Sequence, residues 1–223
     1  LGTIAALVFL TIERGFSLTQ VTAAEGLYLI GVLILEVPTG AVADRYGRSK
    51  SMALGAAVLG VAVLIFAFTQ SFAVLLASFL LWSVASALMS GADMALLFDT
   101  LKAAGREAQY ERLAGRGMAF SWSGVGIATF LGGPVAALLD TRATVFIGAA
   151  TCLATAAVAL AIWEPPHERG LGKRQPYLAS IRAAFGEAWG AADVRILIFL
   201  AGTAFAAIEA VHYLIQPYLV DRN

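Results

Sequence analysis

Apolar runs of about twenty residues recur along this chain, separated by short charged turns, and they decide which solvent it folds in. A helix rises about 1.5 Å per residue, so about 20 predominantly apolar residues cross roughly 30 Å of hydrocarbon. Six stretches have that length, at about residues 19–40, 51–68, 72–100, 115–138, 143–163 and 194–219. A seventh, residues 1–12, reads as the second half of a helix whose beginning is missing, and the start at Leu1 reads as truncated rather than as a signal peptide. With 60% hydrophobic and 13% charged residues and a mean hydropathy of +0.81, the chain is expected to be an all-α membrane protein.

The connections are short except at two places. Residues 101–113 are polar, and residues 164–193 form a longer hydrophilic segment opening with Glu164-Pro165-Pro166. Within the latter, Leu178, Ile181, Phe185 and Trp189 recur at spacings of three and four, the pattern of a helix lying in the membrane interface; a loosely structured linker is the alternative. Alternating the turns across the bilayer puts twelve of the fifteen Lys and Arg on one side, leaving only Arg14, Arg142 and Arg222 opposite. By the positive-inside rule the rich side, with segments 40–50, 101–113 and 164–193, is cytoplasmic. Overall charge is balanced, 15 basic against 15 acidic residues, which removes any electrostatic case for a nucleic-acid partner. The single cysteine, Cys152, has no partner for an internal disulfide and reads as a small packed side chain.

One turn is unusually charged. The segment GAVADRYGRSK, residues 40–50, carries Asp44, Arg45, Arg48 and Lys50 among glycines, where a plain positive-inside anchor would need only the bases. Gly40, Asp44, Arg45, Gly47 and Arg48 have the spacing G-x-x-x-D-R-x-G-R, which resembles the signature loop between helices two and three of the major facilitator superfamily. Ser49 stands where that family usually has a further basic residue, a change expected to have little consequence because Lys50 follows.

The resemblance implies two six-helix bundles joined by a cytoplasmic linker. Residues 1–163 would be the N-terminal bundle (helices 1–6), 164–193 the linker with its interfacial helix, and 194–223 the first helix of a C-terminal bundle whose remainder is missing. About seven of an expected twelve helices would then be present, the first one truncated. It further implies a secondary active permease working by alternating access, with a small-molecule substrate, protons and the lipid bilayer as partners. The signature loop would act as a gating latch, paired with an acid at the cytoplasmic end of helix four. Asp99 stands in that place, and Arg48 or Arg45 is its expected partner. In helix five, Gly133-Pro134 is similar to the pair in the motif of proton-driven exporters. Gly124, Ala128, Gly132 and Ala136 form a small-residue stripe there that suits close packing. The match is partial, since Thr129, Ala137 and Leu138 replace expected glycines. Export from a bacterial inner membrane is thereby implied, with a nutrient symporter as the alternative.

Ionisable groups inside spans are costly to place and so are candidates for function. Glu25 and Glu36, eleven residues apart, share one face of helix two. Ser83, Ser86, Ser90 and Asp93 step along helix four as a polar stripe suited to a water-filled cavity or to packing. In helix seven, Glu209 and His212 share a face with Gln216. Glu209, about 22 Å along from Val194, is the first choice for a coupling acid, with a structural Glu209–His212 pair as the alternative. Helix four lacks the mid-span arginine that resembling drug exporters carry. A seven-helix receptor is the rival from another class, but residues 194–219 contain no lysine for a retinal Schiff base. No metal-ligand spacing and no phosphate loop occur, so neither an enzyme, a metal nor a cofactor is expected.

Overall fold

The computed structural model describes residues 9–139, 141–165, 190, 192–197, 199–200, 203–204 and 207. Contacts divide the chain into two units, Leu1–His167 and Glu168–Asn223. The described residues of the second unit are helical. Glu209, His212, Gln216 and the expected interfacial helix lie outside the described residues.

The first unit opens with a π-helical turn, Phe9–Glu13, followed by helices α1 (Leu18–Tyr46), α2 (Arg48–Ala67), α3 (Phe72–Met89) and α4 (Ala92–Ala103), a 3-10 turn (Glu107–Gln109), α5 (Tyr110–Leu139) and α6 (Thr141–Ala161). No strand occurs among the described residues. Among the described residues four segments, Leu18–Glu36, Arg48–Ala67, Phe72–Ala103 and Ala143–Ala161, are long and apolar enough to cross a membrane. The fifth predicted span falls within the helix α5, which starts before the apolar run with Glu111, Arg112 and Arg116 in its first turns and is not one of these four segments.

Local chemistry sets the helix ends. Ser17 caps α1 through a reciprocal box: its hydroxyl accepts from Gln20 N–H at 3.2 Å, and Gln20 Oε1 accepts from Ser17 N–H at 3.0 Å. Helix α4 ends in a Schellman turn, with Gly105 left-handed at φ 65°, its N–H on Lys102 O and Arg106 N–H on Leu101 O at 2.8 Å.

Helix α2 is central, packed on α3 and α6, while α1 packs on α3. Two of its glycines make this possible. A Cβ on Gly55 would fall 2.9 Å from Ala85 O, and one on Gly60 would meet Leu153, Ala149 O and Cys152 at 3.3–3.4 Å. Small residues let backbones approach in hydrocarbon, where dispersion contacts replace the hydrophobic drive. At one end the core is aromatic, with Phe9 and Phe66 at 5.4 Å, and Phe66 and Phe79 at 6.5 Å. There Arg14 donates to Ala67 O at 2.5 Å and lies 4.8 Å over the Phe9 ring.

The fourth predicted span, residues 72–100, is not one helix. It breaks at Ser90-Gly91, where Gly91 adopts φ 69°, ψ −15°. A left-handed residue interrupts the ladder and leaves the last carbonyls of α3 without their usual amide partners. Neighbouring helices supply donors: Thr39 Oγ1 of α1 donates to Ala87 O at 2.8 Å, and Ser51 Oγ of α2 donates to Leu88 O at 2.8 Å. Ser90 itself donates to Glu36 Oε1 at 3.0 Å. In hydrocarbon an unsatisfied carbonyl costs several kcal/mol, so these side chains make the break tolerable.

Candidate functional site

Residues 40–50 were expected to be a tight charged loop. Instead α1 runs through to Tyr46 and α2 restarts at Arg48, leaving Gly47 as the only residue between them. Gly47 N–H bonds Ala43 O at 2.9 Å and Ser51 N–H bonds Gly47 O at 3.0 Å, so the one residue serves both helix ends. Its φ of 109° and ψ of 141° lie in a region essentially confined to glycine.

An acid from the far end of α6 closes the site. Glu164 Oε1 accepts from Arg48 N–H at 2.7 Å, and Oε2 from Ser49 N–H at 3.2 Å, so a full negative charge sits on the first amides of α2. Free amides and the helix dipole both favour an anion there. A Cβ on Gly47 would stand 2.8 Å from Glu164 Oε2. Glycine is therefore needed twice, for its dihedrals and to admit the carboxylate.

With its backbone fixed, Arg48 turns inward. Its guanidinium bonds the Asp99 carboxylate of α4 and lies 3.8 Å from Asp44 one turn back. The side chains of Arg48, Asp99 and Asp44 are 17%, 27% and 63% exposed, so Asp44 is the wet member of the group. Arg48 is thus held by a partly buried acid rather than left to solvent. Of the two bases considered for Asp99, Arg48 makes the contact, while Arg45 stacks 5.4 Å over Tyr46. Gly40 is exposed, and a Cβ there would meet nothing within 4 Å among the described residues.

Ser49 packs between two helices. It is buried and its hydroxyl donates to Ala159 O at 2.5 Å, tying α2 to α6. Glu164 and Ser49 were both missed as functional residues. The available signal was an acid directly after an apolar run, at the end where the basic turn lies.

The polar stripe divides by use. Ser83 is buried and donates to Tyr28 O at 3.0 Å, and Ser86 meets Tyr28 Oη at 3.2 Å. Together with Ser90 on Glu36, these serines join α3 to α1, the packing alternative of the two readings of the stripe. Asp93, past the break, is exposed and borders an open groove between α4 and α5. Glu25 is half-buried on α1 and does not meet the Arg48 group. On α5, a Cβ at Gly124, Gly132 or Gly133 would meet nothing within 4 Å among the described residues; Pro134 lies inside the helix. No group of three or more metal-ligating side chains occurs among the described residues.

The family model described as Major Facilitator Superfamily matches residues 1–222 of this chain. No curated protein and no solved structure gave a match. The chain belongs to the major facilitator superfamily of membrane transporters.

Proposed function

We propose that this transporter works by alternating access and exports small amphipathic or drug-like compounds in exchange for protons. The observation that carries the reading is the Arg48–Asp99 ion pair, on a turn anchored by Gly47 and Glu164. It ties α1 and α2 to α4 at one end of the unit. Unit charges 4 Å apart attract by about 1 to 4 kcal/mol between bulk water and a near-surface environment. An attachment of that strength holds one state and yields to substrate or proton binding, as a latch must.

In this reading residues 1–163 are the first bundle, 164–193 the cytoplasmic linker and 194–223 the first helix of the second bundle. Segments 40–50, 101–113 and 164–193 face the cytoplasm of a bacterial inner membrane. Glu209 with His212 is the first coupling pair, Asp93 the next, and Glu25 and Glu36 stand behind them. The helix-five resemblance around Gly133-Pro134 supports export.

The test is proton movement in everted vesicles carrying the full chain, followed with a pH dye against lipophilic cations, antibiotics and sugars. Proton release on adding a drug-like compound, lost in Glu209→Gln, is the expected result. Co-movement of protons with a sugar and no response to drugs would replace export by symport.

A further inference from the structure

At the end of α2 opposite Arg48, two buried polar atoms have no hydrogen-bond partner among the described residues, Arg14 Nε and Thr69 Oγ1. Both lie at the last turn of that helix. The Arg14 guanidinium donates to Ala67 O through a terminal nitrogen, and Thr69, two residues further on, is 0% exposed with its N–H on Phe66 O at 3.1 Å. We propose that an internal water molecule is bound here, accepting from Arg14 Nε–H and from the Thr69 hydroxyl, and so joins the segment before α1 to the turn between α2 and α3. The inference is independent of what the transporter carries and in which direction.

The two groups select the occupant. A guanidinium Nε–H only donates and a threonine hydroxyl can donate, so a single atom that accepts twice satisfies both. Water and a small anion each offer that. The surroundings favour water, because the Arg14 charge already rests on the negative end of the α2 dipole, through Ala67 O, and on the face of Phe9, 4.8 Å from the ring centre. No acid pairs with Arg14 among the described residues, yet what its Nε lacks is a hydrogen bond and not a counter-charge. An anion would crowd negative charge against a helix C-terminus, whereas a neutral acceptor does not. The last turn of a helix also presents carbonyls, which are acceptors for the hydrogens that such a water retains. Buried waters make about three bonds, and these groups supply them.

Bulk solvent does not reach the threonine. Thr69 is enclosed while its neighbours Phe68, Gln70 and Ser71 are exposed, and Phe9, Phe16 and Phe66 belong to the apolar cluster that fills this end of the unit. Left dry, each atom would carry the desolvation cost of a bond not made. The site lies about 30 Å from Arg48 along the twenty residues of α2, so it pins the end of the unit that the Arg48–Asp99 pair does not.

The sign of one substitution tests this. Thr69→Val keeps the shape of the side chain and deletes the hydroxyl. With a bound water the variant loses a hydrogen bond that was made, and equilibrium unfolding of the full chain in mixed micelles should show the unfolding constant raised about fivefold. Without one the variant removes a buried polar atom that had no partner, and the constant would fall, which would overturn the site. Arg14→Lys keeps a cation for Ala67 O but has no Nε–H, and in that background Thr69→Val should change the constant by less than about twofold. An undiminished effect there would show that the two atoms do not share one water and would overturn the proposal equally. A structure of the full chain at a resolution that shows solvent should hold a single water within hydrogen-bond distance of both atoms; anomalous signal at that point after a bromide soak would replace the water by a halide and refute it.

Discussion

Glu164 and Gly47 are 117 residues apart in sequence and in contact, which makes their energetics separable by a double-mutant cycle. Glu164→Ala removes two charge-assisted bonds from the first amides of α2, at 2.7 and 3.2 Å. Loss of a helix cap costs about 0.5 to 2 kcal/mol, and the charge at the helix end adds about 0.3 to 1. A total of about 1 to 3 kcal/mol is expected. Gly47→Ala has two components. The backbone at φ 109° strains any Cβ by about 1 to 3 kcal/mol, and the new methyl also displaces the carboxylate that would lie 2.8 Å away. In the double variant the backbone strain adds to a cap that is lost once and not twice. Equilibrium unfolding in mixed micelles should therefore show the double variant more stable than the sum of the singles, by about 1 to 3 kcal/mol. Strict additivity would refute the claim that the glycine exists to admit this acid.

Three further outcomes are expected. Arg48→Ala and Asp99→Asn should each abolish transport while the protein still inserts and folds; transport at the normal rate in both would remove the latch. Thr39→Val and Ser51→Ala each strip the donor from a carbonyl at the α3 break and should destabilise by about 1 to 3 kcal/mol in the same micelle assay, an effect that a merely exposed hydroxyl would not show. A cysteine at position 141 should react with an impermeant label from outside the cell and one at Ala104 should not; the reversed pattern would overturn the orientation.

Hydropathy and spacing made the helical spans and the signature turn legible, because both are local properties of the chain. Contacts were not. Glu164 reaches Arg48 across 116 residues, and nothing near either residue announces the other. The broken fourth span was hidden for a different reason: an apolarity average runs through Ser90-Gly91 without registering that one left-handed residue ends a hydrogen-bond ladder. Ser90-Gly91-Ala92-Asp93 has the S-x-x-D form of a helix start, yet the N-cap is Gly91 and no side chain caps it. The serine stripe was ambiguous in principle, because a hydroxyl facing water and one facing a neighbouring helix have the same periodicity. Only the register of α1 against α3 separates them, and Gly31, whose Cβ would stand 2.5 Å from Ser83 Oγ, is what lets the two helices approach that closely.

The two interruptions of this bundle differ in mechanical character. At Gly47 the chain reverses through one residue whose amide, carbonyl and side-chain space are all engaged, so α1 and α2 form a stiff elbow and a tilt in one is delivered to the other. At Gly91 the chain keeps its general course but loses its ladder, and the joint is held by hydroxyls from outside it, so α3 and α4 form a jointed strut. A load applied at the Arg48–Asp99 end falls on elbow and strut together. Of the two joints the one at Gly91 has no ladder of its own to resist bending, and α4 stands on it with Asp93 at its base and Asp99 near its tip.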